Sequence, residues 1–384
     1  MSIFNNQKFR GIFFQLITII GLVAFLWYIT TNLLHNVEQR GITTGFDFMN
    51  QVAGFGISES PIFYSEVTST YFDAFLVGIS NTLIVAFVGI VLASVLGVIV
   101  GIARLSDNFI ISKLSLWYIE IFRNIPILLQ ILFWYNVVLA ALPSPRQSMD
   151  FGAGMFLNNR GFYIPKPVPE SNFIFVWIAL ALAIGIIYFM KKWATKRLDD
   201  TGQAFPLIRA SLGIFFLLPL VVFFIVGTPM TLDYPSLQGF NFKGGMTYSP
   251  EFIALTFALS IYTATYIAEA IRSGIQAVAT GQKEAAASLG LNSSQSLKFV
   301  VLPQAIRIAI PPIINQFLNL TKNSSLATAI GYPELVTVFA GTCLNQAGQA
   351  IEIILVTMAV YLVISLFISL VLNIVNKKME IKGR

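Results

Sequence analysis

The chain has 384 residues, 56% hydrophobic and 11% charged, with a mean hydropathy of +0.76; this composition excludes an ordinary soluble domain and makes the bilayer the main solvent. A net charge of +6 does not point to nucleic acid, because the basic residues are scattered between apolar runs instead of forming a stripe. One cysteine, Cys343, and one histidine, His35, leave no pair for a disulfide, zinc or thiol site.

Thirty-four phenylalanines and apolar runs of about 20 residues predict a bundle of spanning helices, since each span must satisfy its own backbone in lipid. The first run, 12–30, follows Lys8 and Arg10 as a signal peptide would, but it is longer than a signal core. Asn32, Leu33, Leu34 and His35 do not resemble a cleavage site, so the run is read as a retained anchor, with His35 solvated in the loop beyond it. The segment 45–64, GFDFMNQVAGFGISESPIFY, suits either an amphipathic piece along the outer membrane surface or a plain connector. Spans at 74–102 and 114–139 follow.

Next comes LPSPRQSMDFGAGMFLNNRGFYIPKPVPE, rich in Pro, Gly and Asn, which predicts an ordered outer loop without long regular elements. Spans at 173–190 and 208–227 flank KKWATKRLDD, expected to be a solvated, headgroup-facing loop that anchors topology. Spans at 250–271, 305–321 and 353–375 complete a set of about eight, an even number that places both termini on one side. Seventeen basic residues fall on that side, against five, Arg40, Arg146, Arg160, Lys166 and Lys243, on the other. The excess of positive charge predicts that both termini are cytoplasmic.

The cytoplasmic loop 273–303 contains GQKEAAASLGLNSSQSLKFVVLP. The Ala-rich stretch 284–289 favours a helix, Gly290 suits a left-handed C-terminal cap, and Asn292 with Gln295 forms a capping-box pattern for a second helix. Pro303 is expected to break that second helix before the next span. Small Ala285, Ala286 and Ala287 allow another surface close to the backbone, and Glu284 supplies a charge. These features predict a docking surface, with an ordinary amphipathic loop as the alternative.

Glu284, Ala285 and Ala286, three residues to Gly290, nine more to Val300, then Leu302 and Pro303 resemble the EAA loop of binding-protein-dependent, ATP-driven import permeases. Val300 departs mildly, standing where that family usually has Ile. EIFRNIPILLQILFWY (120–135), TYIAEAIRSGIQAVATGQ (265–282) and LNLTKNSSLATAIGYPEL (318–335) look like its polar-amino-acid branch. The enlarged layout, with GFDFMNQVAGFGISES and LPSPRQSM followed by FLNNRGFYIP, is similar to one permease subunit of general L-amino-acid and of glutamate, glutamine, aspartate and asparagine transporters.

The resemblance implies an all-α polytopic membrane protein of the type I importer fold in a bacterial inner membrane. Its parts would be an anchor helix and outer segment (1–71), a first core part (72–140), an inserted loop with two extra spans (141–249) and a second core part with the EAA loop (250–384). It further implies a cytoplasmic ATPase homodimer, a second and different permease subunit, a periplasmic amino-acid-binding protein, and a cargo of L-amino acids, polar or acidic. The chain lacks a GxxxxGK[ST] phosphate loop, so ATP and Mg are expected on the ATPase and no cofactor on this chain.

A zwitterionic cargo needs polar groups inside the membrane. Glu120 and Arg123 share a helical face, Glu269 lies late in the sixth span, and Lys322 ends the seventh beside Ser324 and Ser325. These six are candidate pathway residues; alternatively, Glu120 and Arg123 form a structural ion pair and Lys322 snorkels. Pro311 and Pro312 would kink the seventh span, at a gate or merely at a packing bend. Two other classes compete, an ion-gradient-driven secondary transporter and a structural membrane protein, but no internal repeat supports the first and the EAA-like loop speaks against the second.

Overall fold

The computed structural model describes residues 7–39, 41 and 44–379; Arg40, Lys382 and Arg384 of the charge count lie outside them. Among the described residues, seven helices are long and apolar enough to cross a membrane, or eight if one sharply bent pair counts as a span. Helix α1 (Gln7–Gln39) is exposed along nearly its whole length, and His35 sits within it, hydrogen-bonded to Gln39 at 3.0 Å, not in a loop.

The segment after α1 is neither surface helix nor plain connector. A 3₁₀ turn, Asp47–Asn50, buries Phe48 to 2% exposure. Its ring lies 6.4 Å from Phe339 and 5.9 Å from Tyr71, in a cluster that also holds Ala53, Phe75 and Leu335. Backbone bonds join Ala53 to Ser69 and Tyr71 to Gln51, so the segment is a folded cap tied into the core. Helix α2 (Tyr71–Arg104) begins there with a capping box between Thr70 and Asp73.

The expected single span at 114–139 is two pieces. Helix α3 (Phe109–Asn124) and helix α4 (Ile127–Phe133, continuing in a π stretch to Leu139) meet at an angle of 101°. Pro126 forces the preceding residue out of the helical region, and Ile125 has ψ 130°. The break would strand carbonyls in lipid, but the Gln130 amide donates to Phe122 O at 2.8 Å and to Ile125 O at 2.9 Å.

Residues Asn136–Ile253 form one compact unit. Apart from its long helices it holds eight strands of two to four residues, short elements in what was expected to be an all-α chain. Strands β1 (Met149–Asp150), β2 (Phe156–Asn158), β3 (Gly161–Ile164) and β8 (Met246–Tyr248) make an antiparallel sheet in that order; β4 (Lys166–Pro169) pairs with β5 (Met230–Asp233), and β6 (Ser236–Gln238) with β7 (Asn241–Lys243). Tyr163, 2% exposed, packs its ring 4.9 Å from Phe242 and bonds Asn241 at 2.9 Å. The β4–β5 ribbon leads into a hairpin of α5 (Ile174–Thr201) and α6 (Leu207–Ile225). KKWATKRLDD is not a loop: its good helix formers carry α5 on to Thr201, where Gly202 caps it at φ 68°.

The rest of the chain forms the other unit. Helix α7 (Pro250–Gln276) packs on α2 through glycines: a Cβ on Gly97 would lie 2.6 Å from Ile267 Cγ2, and one on Gly101 2.9 Å from Ala268 O. Helices α8 (Thr280–Ser288) and α9 (Ser293–Ser296) follow, then a π stretch, Leu297–Val301, and α10 (Leu302–Asn323). Pro303 does not break this helix. The wider π turn just before it, with Leu302 N bonded to Leu297 O, absorbs the proline ring and missing donor, and residues Ser293–Ile330 run as one span through Pro311 and Pro312. A 3₁₀ stretch (Ser324–Ile330), a π stretch (Val336–Cys343), α11 (Leu344–Ala347) and α12 (Ala350–Met379) complete the chain.

Candidate functional site

The loop after α7 is a capped elbow. Helix α8 ends in a Schellman motif: Gly290 N bonds Ala287 O at 2.9 Å and Leu291 N bonds Ala286 O at 3.1 Å, with Gly290 at φ 79°. Asn292 opens α9 with a reciprocal pair, its Oδ1 accepting from Gln295 N at 2.9 Å and its N–H donating to Gln295 Oε1 at 3.0 Å. Both helix ends are therefore satisfied by neighbouring residues, which fixes the reversal between them.

Glu284 and Ala285 are exposed on α8, as is Gly290 at the corner. Ala286 faces inward at 2% exposure, so it closes the elbow on itself and is not part of the outward face that the three alanines were expected to share. Leu302 is half-buried and Pro303 exposed in the first turn of α10. Sequence reasoning missed two features. Leu289, 82% exposed, stands at the corner as an apolar knob, marked only by its place before a glycine cap. Gln304 ties the elbow to α10, donating to Val300 O at 3.0 Å and to Gln282 Oε1 at 3.3 Å. Behind these, Val278, Val301 and Ala305 form a small buried cluster with Ile275.

The candidate pathway residues separate. Lys322 and Ser325 line an open cleft of about 450 Å³ with Thr357, Tyr361 and Ser365. Ser324 is fully buried behind it and donates to Thr321 O at 2.7 Å. Glu120, Arg123 and Glu269 are not among the lining residues. Glu120 accepts from the Asn124 amide at 3.2 Å instead of pairing with Arg123, and it is Glu269 that forms an ion pair, with Arg272 one turn along α7. Glu269 belongs to a half-exposed polar row on α7 with Tyr262 and Tyr266, whose hydroxyls lie 2.9 Å apart.

One residue beside the cleft was not singled out from sequence. Glu334 is fully buried, and its carboxylate accepts from Val336 N and Thr337 N, both at 2.9 Å, and from the Tyr361 hydroxyl at 2.8 Å. Thr82 accepts from Leu335 N at 3.1 Å, and the Asn81 amide donates to Pro333 O at 2.8 Å. The polar corner 333–337 is thereby locked against α2, where a Cβ on Gly78 would lie 2.9 Å from Leu335 Cα.

The family model for the binding-protein-dependent transport system inner membrane component matches residues 184–381, about half of the chain and including the elbow. The chain belongs to this family. The putative amino-acid ABC transporter permease protein YhdX of Escherichia coli is 49% identical over 99% of this chain and 97% of its own length. The general L-amino acid transport system permease protein AapQ of Rhizobium johnstonii is 48% identical, over 100% and 95%. The glutamate/glutamine/aspartate/asparagine transport system permease protein BztB of Rhodobacter capsulatus is 36% identical, over 99% and 96%. Membership makes the chain a multi-pass inner-membrane transport subunit of the type I importer fold, not an enzyme, and sets aside the ion-gradient-driven alternative.

Proposed function

We propose that the chain is the membrane permease subunit of an ATP-driven importer of L-amino acids, polar or acidic ones, and that the elbow around Glu284 and Gly290 seats in a cytoplasmic ATPase. The observation that carries this reading is the doubly capped elbow, whose outward face presents Glu284, Ala285, Leu289 and Gly290 while Gln304 ties it to α10. Closure of an ATPase homodimer would then move α10 with the elbow as one body. ATP and Mg belong on that ATPase. Names of relatives at 36% to 49% identity support the amino-acid cargo. Both termini and the elbow lie in the cytoplasm on this reading, as the basic residues favour.

The remaining partners are a periplasmic amino-acid-binding protein and a second, different permease subunit, with the cargo passing between the two membrane chains. Along the route Lys322 and Ser325 meet the cargo carboxylate in the 450 Å³ cleft. Glu269, Arg123 and Glu120 act nearer the exit, and Ser324 acts only by holding the turn after α10.

Co-purification of the complex tests the coupling role. Glu284→Lys and Gly290→Val are expected to lose the ATPase from the complex and uptake with it, at unchanged membrane levels of the chain. Full ATPase retention and full uptake in both variants would sink the proposal. Lys322→Ala is expected to lower uptake with the ATPase still attached; wild-type uptake would remove Lys322 from the route.

A further inference from the structure

The hairpin of α5 and α6 carries a cationic face that the transport reading does not use. The apolar part of α5, 174–190, rises about 26 Å at 1.5 Å per residue, close to the hydrocarbon thickness of about 30 Å, and 191–201 continues as helix for about 16 Å more. On that extension Tyr188, Lys191, Lys192, Thr195 and Lys196 border one open cavity of about 510 Å³, with Asp199 and Asp200 at its far end. The three lysines are exposed, and among the described residues none of them has an ion-pair partner. Lys192 Nζ lies 4.8 Å from the centre of the Tyr188 ring, which holds it at the apolar boundary.

The other side of the extension is partly covered by the chain itself, with Trp193 still 50% exposed. Ala194 is buried at 7% exposure, Trp193 packs its ring 5.2 Å from Phe205, and Arg197 donates to Gln203 at 3.1 Å. The turn to α6 therefore packs against one face and leaves the lysine face free. A cationic face with aromatic rings, set where a spanning helix leaves the hydrocarbon, matches the level of the lipid phosphates.

We propose that this face is a binding site for anionic phospholipid headgroups: Lys191, Lys192 and Lys196 hold the phosphate, and Tyr188 lies against the glycerol region. The position of the lysines next to the apolar run favours a lipid over a soluble phosphate, because an acyl-anchored phosphate is delivered at that height.

The test places the full chain in nanodiscs of equimolar phosphatidylglycerol and phosphatidylcholine, extracts it in mild detergent, and counts retained lipids by native mass spectrometry. Wild type is expected to retain phosphatidylglycerol over phosphatidylcholine by at least about fivefold, the effect of roughly one well-placed lysine at an anionic surface. The preference should fall towards parity in K191Q/K192Q/K196Q, and in wild type washed at raised ionic strength, while K191R/K192R/K196R keeps it. Equal retention of the two lipids by wild type overturns the proposal whether or not the glutamine variant inserts, and so does an undiminished preference in an inserted glutamine variant. Displacement of the lipid by free glycerol phosphate would assign the face to soluble phosphate and overturn the lipid reading; indifference to it supports the proposal.

Discussion

Helices α7 and α6 are both long and apolar enough to span a membrane, α7 the less apolar of the two, and the structure uses them in opposite ways. Two-thirds of an 18-residue apolar stretch of α7 is buried within the chain (67%), and none of the matching stretch of α6 (0%). The difference lies in what meets them. Helix α7 meets α2 at Gly97 and Gly101, where the absence of a side chain allows backbone approach. Within its own unit α6 packs chiefly with α5, with the Phe223 ring also 6.4 Å from that of Phe173, and leaves Phe216, Phe224 and Ile225 at 63%, 63% and 77% exposure. In lipid an apolar surface costs nothing to leave open, so hydropathy marks a span without saying whether it is packed.

This contrast can be broken most sharply by matched glycine substitutions. Gly97→Leu places carbon where Ile267 already stands, and loss of folded, inserted protein is expected, measured by size-exclusion chromatography of the extracted chain. Gly213→Leu in α6, where a Cβ meets nothing within 4 Å, should leave stability within about 0.5 kcal/mol of wild type. If the two variants behave alike, the division into packed and lipid-facing spans is wrong.

A smaller effect separates the polar corner from the spans around it. Glu334→Ala orphans two backbone N–H groups and the Tyr361 hydroxyl, at about 1–3 kcal/mol for each buried group left unpaired. Thermal unfolding in detergent should shift well below wild type, and Glu334→Gln, which keeps an acceptor, should recover part of the loss. Smaller again is Gln130→Leu, which uncovers the Phe122 and Ile125 carbonyls at the bend. A loss of about 1–3 kcal/mol is expected, with the chain still inserted. An unchanged melting temperature would mean that the bend is held by Pro126 alone.

The elbow was legible because its signals are local. A left-handed glycine, an Asn and Gln three apart and an alanine run dictate their geometry whatever surrounds them, and Gly290, Asn292 and Gln295 took the roles the sequence assigned them. The bend at Ile125 was hidden in a run of the right length for one span, where Pro126 is compatible with either a kinked helix or a break. Pro303 misled in the other direction, because a π turn can absorb a proline and no sequence pattern announces one. The cap around Phe48 and the corner at Glu334 depend on partners hundreds of residues away, as in the 2.7 Å bond from Gly45 N to Glu352 Oε1. The pathway residues were grouped by polarity alone, and the fold set Ser324 behind the cleft that Lys322 and Ser325 line.

The inward turn of Ala286 carries a mechanical consequence. A lever that flexes at its joint dissipates the stroke applied to its tip. Ala286 packed inside, Gln304 hydrogen-bonded to Gln282, and the capped helix ends tie the joint to the foot of α10. On the coupling role proposed above, a push at Leu289 is handed to the foot of α10 through these contacts.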